Sequence, residues 1–125
     1  MQDDKLKDEC GVIGIYSKEQ NVEDLLYYGL YALQHRGQES AGIAVHVGGA
    51  ISYHKDAGLV SEVFSDPDIR QKLRGNLGIG HVRYAKASEN LALNAQPLVV
   101  KYKKGQIGMA HNGNIVNADS LREIL

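Results

Sequence analysis

Cysteine is nearly absent from this chain. Cys10 stands alone among 125 residues, which excludes an internal disulfide framework and any cysteine-rich zinc or iron–sulfur site built from this chain alone. No apolar stretch approaches the roughly 18–20 residues of a membrane-spanning helix, and the first ten residues lack the apolar core of a signal peptide. The cytoplasm is therefore the expected compartment. Charge of one sign is lacking too: 14 Lys and Arg against 15 Asp and Glu give a formal net charge of −1. No basic cluster marks a nucleic-acid groove. The five histidines include no i, i+4 pair and no Cys–His set suited to zinc. There is no P-loop, and Gly78-Ile79-Gly80 lacks the third glycine and acidic partner of a dinucleotide fingerprint.

What the chain does have is one domain's worth of sequence, 43% of it hydrophobic, and 14 glycines that cluster beside polar residues. A charged leader, Met1 to Glu9, gives way to the β-branched run that follows Cys10 and closes at Tyr16, which predicts a buried strand. Asn21 to Gln34 predicts a helix capped by Asn21, with Asp24 three positions on and Leu26, Leu30 and Leu33 on one face. Gly37 is placed to end it. Ala41 to Val47 and Ala50 to Lys55 predict a hairpin around Gly48-Gly49. A short helical turn follows at Val60 to Phe64, and Asp66-Pro67 opens another helix. Asn76 to Val82 reads as a strand, Arg83 to Pro97 as a long polar loop. Leu98 to Tyr102 and Gln106 to His111 form a second hairpin. A capped helix is expected from Asn117, and the chain stops inside it, as in a truncated domain. Hairpins with helices between sheet blocks predict an α+β layered fold of antiparallel sheets.

Four polar clusters could carry chemistry: Cys10-Gly11, His35 to Glu39, His81 to Tyr84, and His111 to Asn114. An acyl-transfer site needs a nucleophile, a base, oxyanion donors and a substrate anchor. If the leader is cut before Cys10, that residue carries both a thiol and an α-amine whose ordinary pKa, roughly 7.7–8.0, suits a general base near neutrality. The alternative is a small buried hydrophobe at a strand start. Asn112 offers a side-chain donor and Gly113 an unobstructed backbone N–H for an oxyanion, although Asn-Gly after a strand is also a turn signal. Arg83 is a fork suited to a carboxylate; the alternative is a surface or loop-holding arginine. His46 and His54 are expected to face solvent or to pair across their hairpin.

The segments Asp8 to Tyr16, Leu33 to Ile43, Gly80 to Tyr84 and His111 to Asn114, in this order and with Asn94 to Pro97 between the last two, closely resemble the amidophosphoribosyltransferase family. Gln38 separates this resemblance from glucosamine-phosphate synthases, which usually carry tyrosine there. The resemblance implies an N-terminal-nucleophile hydrolase fold, antiparallel sheets sandwiched between helical layers. It implies a propeptide over residues 1–9 and a class II glutaminase domain from residue 10 onward, incomplete at Leu125. By resemblance, Cys10 attacks the glutamine side-chain amide and Asn112 and Gly113 stabilise the oxyanion. Arg83 binds the α-carboxylate, and Arg36 and Gly37 shape the pocket. Lys86 stands in the glutamine-contacting loop where the family usually has threonine or serine. The aspartate for the α-ammonium would lie beyond Leu125. So would the domain that binds phosphoribosyl pyrophosphate, with its magnesium and, where members carry one, its iron–sulfur cluster. No cofactor is expected in this chain, and a homo-oligomer is expected at full length. Alternatives are the glutaminase domain of another class II amidotransferase, or a silent module that binds an amino acid or a partner.

Overall fold

A computed structural model describes residues 10–34, 39–84 and 95–111. Strands β1 (Cys10–Tyr16), β2 (Glu39–Val47), β3 (Ala50–Ala57) and β4 (Leu77–Tyr84) form one sheet in the order β1-β4-β2-β3, every neighbouring pair antiparallel. Helix α1 (Glu23–Leu33) joins β1 to β2, and the short helices α2 (Val60–Val63) and α3 (Pro67–Lys72) join β3 to β4. A second antiparallel pair, β5 (Leu98–Tyr102) and β6 (Gly105–Met109), forms a separate two-stranded sheet.

Alternation along the strands sorts side chains onto two faces. Ala41, Ile43, Val45 and Val82 point to one, where they are buried with Val22, Leu26, Leu30, Val60, Val63, Phe64 and Leu73 from the helical side. The predicted stripe of α1 is this contact. Leu26, Leu30 and Leu33 lie over Gly78, Gly80 and Gly11, where an added Cβ would come within 2.7, 3.0 and 3.0 Å of the respective leucine. Three glycines thus let the helix settle close against the sheet. On the opposite face β6 crosses the sheet, with Gly108 against Ala44, Ile51 and Ile79. The Gln106 side-chain oxygen accepts from the Ile51 N–H at 2.9 Å. The order helix, sheet, sheet is three layers of the expected four. The helix expected from Asn117 lies outside the described residues.

Several boundaries differ from the sequence reading. Asn21 does not cap α1. The residue before the helix is Val22, fully buried, with its N–H donating to the Gly75 carbonyl at 2.7 Å. Packing of that valine fixes the helix start, and Glu23 and Asp24 instead meet Arg74 and Arg70. The helix ends at Leu33; Gly37 lies outside the described residues. Gln34 is extended, and its side chain accepts from the Val60 N–H at 3.0 Å, tying α1 to the start of α2. Asp66 does cap α3, accepting from the Asp68 N–H at 2.9 Å with Pro67 behind it. β4 runs through Arg83 and Tyr84, which the sequence reading placed in a loop, because both are paired in the sheet. His46 and His54 are not cross-strand partners: His46 pairs with Ile51 and is exposed, whereas His54 pairs with Ile43 and packs its ring 5.8 Å from Phe64.

Candidate active site

The sheet register brings two candidate residues together. Cys10, the first residue of β1, is the partner of Arg83 in β4, and Arg83 is in turn the partner of Ser40 in β2. Partners in an antiparallel ladder have Cα atoms only about 4.5–5.5 Å apart. The row Cys10, Arg83, Ser40 therefore crosses three strands at one end of the sheet. Arg83 is half-buried and Ser40 is 1% exposed. A cysteine next to a long, forked cation can serve a reaction on an amino-acid substrate whose carboxylate the fork accepts.

Two residues along, on the same face, the row is Val12, His81 and Gly42. His81 is fully buried and its Nε2 donates to the His111 carbonyl at 3.0 Å. A carbonyl can only accept, so the proton sits on Nε2 and Nδ1 is an acceptor. Burial pushes the His81 pKa down to about 4; the bond to His111 opposes this, and the nearby positive charges of His111 and Arg83 add to it. The ring is neutral at pH 7. Among the described residues, Nδ1 of His81 and Oγ of Ser40 are buried without a hydrogen-bond partner.

Residues 95–97 lie across the same face. Ala95, Gln96 and Pro97 are buried, with a cis peptide bond between Gln96 and Pro97. Gly42 permits this approach: a Cβ there would collide with the Gln96 carbonyl oxygen. Lys55, paired with Gly42 in β3, donates from Nζ to the Pro97 carbonyl at 3.0 Å, and desolvation lowers its pKa from the ordinary lysine value. The Gln96 side-chain oxygen accepts from the His111 N–H at 2.8 Å.

Cys10 and Arg83 are thus adjacent in the ladder, while Asn112, Gly113, Arg36, Gly37 and Lys86 lie outside the described residues. Among the described residues no group of three or more His, Cys, Asp or Glu could hold a metal ion. The sequence reading gave no role to Ser40, His81 or Gln96. Their signal was present: His81 and Gln96 are polar residues in apolar surroundings, and Gln96-Pro97 closes a long loop. Only the fold shows that both reach His111.

No family model matches the chain. It is 50% identical over 122 residues to the amidophosphoribosyltransferase of Synechocystis sp., covering 98% of this chain and 24% of that protein. Further matched relatives carry the same name. The protein of that name from Methanocaldococcus jannaschii is 53% identical over 117 residues, 93% of this chain and 25% of the relative. Among solved structures, one described as the allosteric regulatory enzyme of purine biosynthesis matches at TM-score 0.78 and 43% identity, over 90% of this chain and 24% of that one. The glutamine phosphoribosylpyrophosphate amidotransferase of B. subtilis, solved with ADP and GMP, matches at TM-score 0.74 and 42% identity, again over 90% and 24%. The chain therefore spans about a quarter of the length of the amidophosphoribosyltransferases it matches, at their N-terminal end. At this similarity the fold is shared: α+β, of the N-terminal-nucleophile hydrolase type.

Proposed function

We propose that this chain forms the glutamine-hydrolysing part of an amidophosphoribosyltransferase, with residues 1–9 as a propeptide and Cys10 as the mature N-terminus. The observation that carries the reading is the ladder partnership of Cys10 with Arg83, in a chain matched to these enzymes over nearly its whole length. Arg83 holds the glutamine α-carboxylate through two parallel N–H···O bonds. The freed Cys10 amine takes the thiol proton as sulfur attacks the side-chain amide carbon. The carbonyl π electrons move to oxygen, and the oxyanion is held by Asn112 and Gly113. As the C–N bond breaks, the ammonium returns its proton to nitrogen and ammonia leaves. Water then hydrolyses the thioester to glutamate and restores the thiol. Arg36, Gly37 and Lys86 line the glutamine pocket.

The ammonia serves phosphoribosylamine formation from phosphoribosyl pyrophosphate, the entry to purine synthesis. That step belongs to the part of the relatives that this chain does not span, as does any magnesium or iron–sulfur cluster, and assembly into a homo-oligomer belongs to the full-length protein. A cytoplasmic enzyme fits this chemistry; among the described residues no helix is long and apolar enough to cross a membrane.

An N-terminal sequence read and a glutaminase assay on the same preparation test the proposal. In the native full-length protein, a mature chain starting at Cys10 that releases ammonia from glutamine is expected. Full activity with Glu9 still attached would overturn the role of the amine, and an active Cys10→Ala variant would overturn the nucleophile.

A further inference from the structure

We infer that His81 and Gln96 are positioning residues that together fix the main chain at His111, the residue before the oxyanion donors of the proposed reaction. This rests on the glutaminase reading above and adds to it two residues to which that reading gives no role.

The geometry is specific. Gln96 accepts from the His111 N–H at 2.8 Å and His81 donates to the His111 carbonyl at 3.0 Å. The N–H belongs to the peptide plane before the His111 Cα and the carbonyl to the plane after it. Holding both fixes the main chain on either side of the His111 Cα.

Both anchors are themselves rigid. His81 sits in the central strand β4, paired on one side to Val12 and on the other to Gly42. Gln96 is pressed on Gly42 and flanked by the Lys55–Pro97 bond. His111 itself is exposed, so its place in the fold comes from its main-chain bonds rather than from burial of its ring. Oxyanion donors must be held within about 0.5 Å of their productive positions, which favours anchoring them to strands through buried partners.

A fully buried imidazole whose Nδ1 has no partner among the described residues is costly where an apolar residue would pack. The hydrogen bond to His111 is the one polar contact its ring makes among the described residues. It connects β4 to the segment that ends β6, across the space between the two sheets.

The test uses the native full-length protein and two substitutions. Leucine at position 81 fills space but cannot donate, whereas glutamine places an N–H where Nε2 lies. His81→Leu is expected to lower kcat for glutamine hydrolysis about 10- to 100-fold, with KM changed less than about threefold. His81→Gln is expected to recover kcat to within about fivefold of wild type. Unchanged kcat in a folded His81→Leu protein, or equal losses in the two variants, would overturn the inference. Nitrogen-15 NMR of the wild-type chain gives a readout that does not depend on activity. It should show His81 protonated on Nε2 and neutral at pH 6, with the His111 amide protected from exchange. A proton on Nδ1, or a His111 amide exchanging at the rate of an open chain, would also overturn it. If the wild type fails to hydrolyse glutamine, the glutaminase reading falls while the NMR result still decides whether the clamp exists.

Discussion

On one face of the four-stranded sheet Leu26, Leu30 and Leu33 sit over three glycines in a contact made of hydrocarbon. On the other face, at the end where β1 begins, Ser40, His81 and Arg83 lie on the side where Gly42 meets Gln96 and where His81 and Gln96 bond the His111 main chain. The same strands supply both, alternating residue by residue: Val82 goes to the helices, His81 and Arg83 to the far side. The first face stabilises by removing apolar area from water. The second buries polar atoms that need partners, which costs stability and fixes geometry. Substitutions on the two faces should therefore fail differently, one in folding and the other in chemistry.

The largest separation is expected at Cys10. Cys10→Ala should abolish glutamine hydrolysis in the full-length protein while leaving the melting temperature unchanged, as a glutaminase assay beside calorimetry would show. Next, Asn112→Ala should lower kcat about 10²–10³-fold, roughly 2.7–4 kcal/mol, with little change in glutamine affinity. If Asn112 only forms a turn, thermal stability falls instead and turnover per folded molecule survives. From the helix side, Leu30→Ala should cost about 2–5 kcal/mol in a denaturant titration, with turnover intact in the fraction that remains folded.

Much of this contrast was legible from the sequence. The leucine stripe of α1, the Gly48-Gly49 hairpin, the cap at Asp66 and the second hairpin follow from local pattern and are found. Pattern failed where tertiary packing decides. Asn21 looked like a cap, but Val22 is drawn into the core and the helix starts from it. Arg83 looked like loop because it is polar, yet it is paired on both sides in a central strand. Spacing along the chain could suggest Cys10 and Arg83 separately; only the ladder register makes them neighbours. His81 and Gln96 were visible as residues but not as a set, because their meeting at His111 depends on how residues 95–97 and the β5–β6 hairpin lie against the first sheet.

Acidity offers a finer probe of the polar face. The folded pKa of His81, about 4, lies below the ordinary histidine value of 6.5, so protonation favours the unfolded chain. Its contribution is fully present above about pH 6.5 and is lost as pH falls toward 4, by up to about 3 kcal/mol. Arg83 and His111 act electrostatically on His81 in the same direction as burial. Chemical denaturation between pH 7 and 4 should show this decline in wild type and a shallower one in His81→Gln. The smallest effect is expected at Arg83→Lys, which keeps the charge but loses the planar fork: glutamine KM should rise about tenfold, more than kcat falls.

The central claim, that Cys10 is an N-terminal nucleophile set beside the Arg83 clamp, is tested most directly by labelling the native protein with a glutamine-analogue electrophile and reading the product by intact and peptide mass. One adduct on Cys10, in a chain that begins at Cys10, with labelling slowed by free glutamine and abolished in Cys10→Ala, is the result this account predicts. Labelling that persists in Cys10→Ala, or that proceeds at full rate on Cys10 with residues 1–9 still attached, would contradict it.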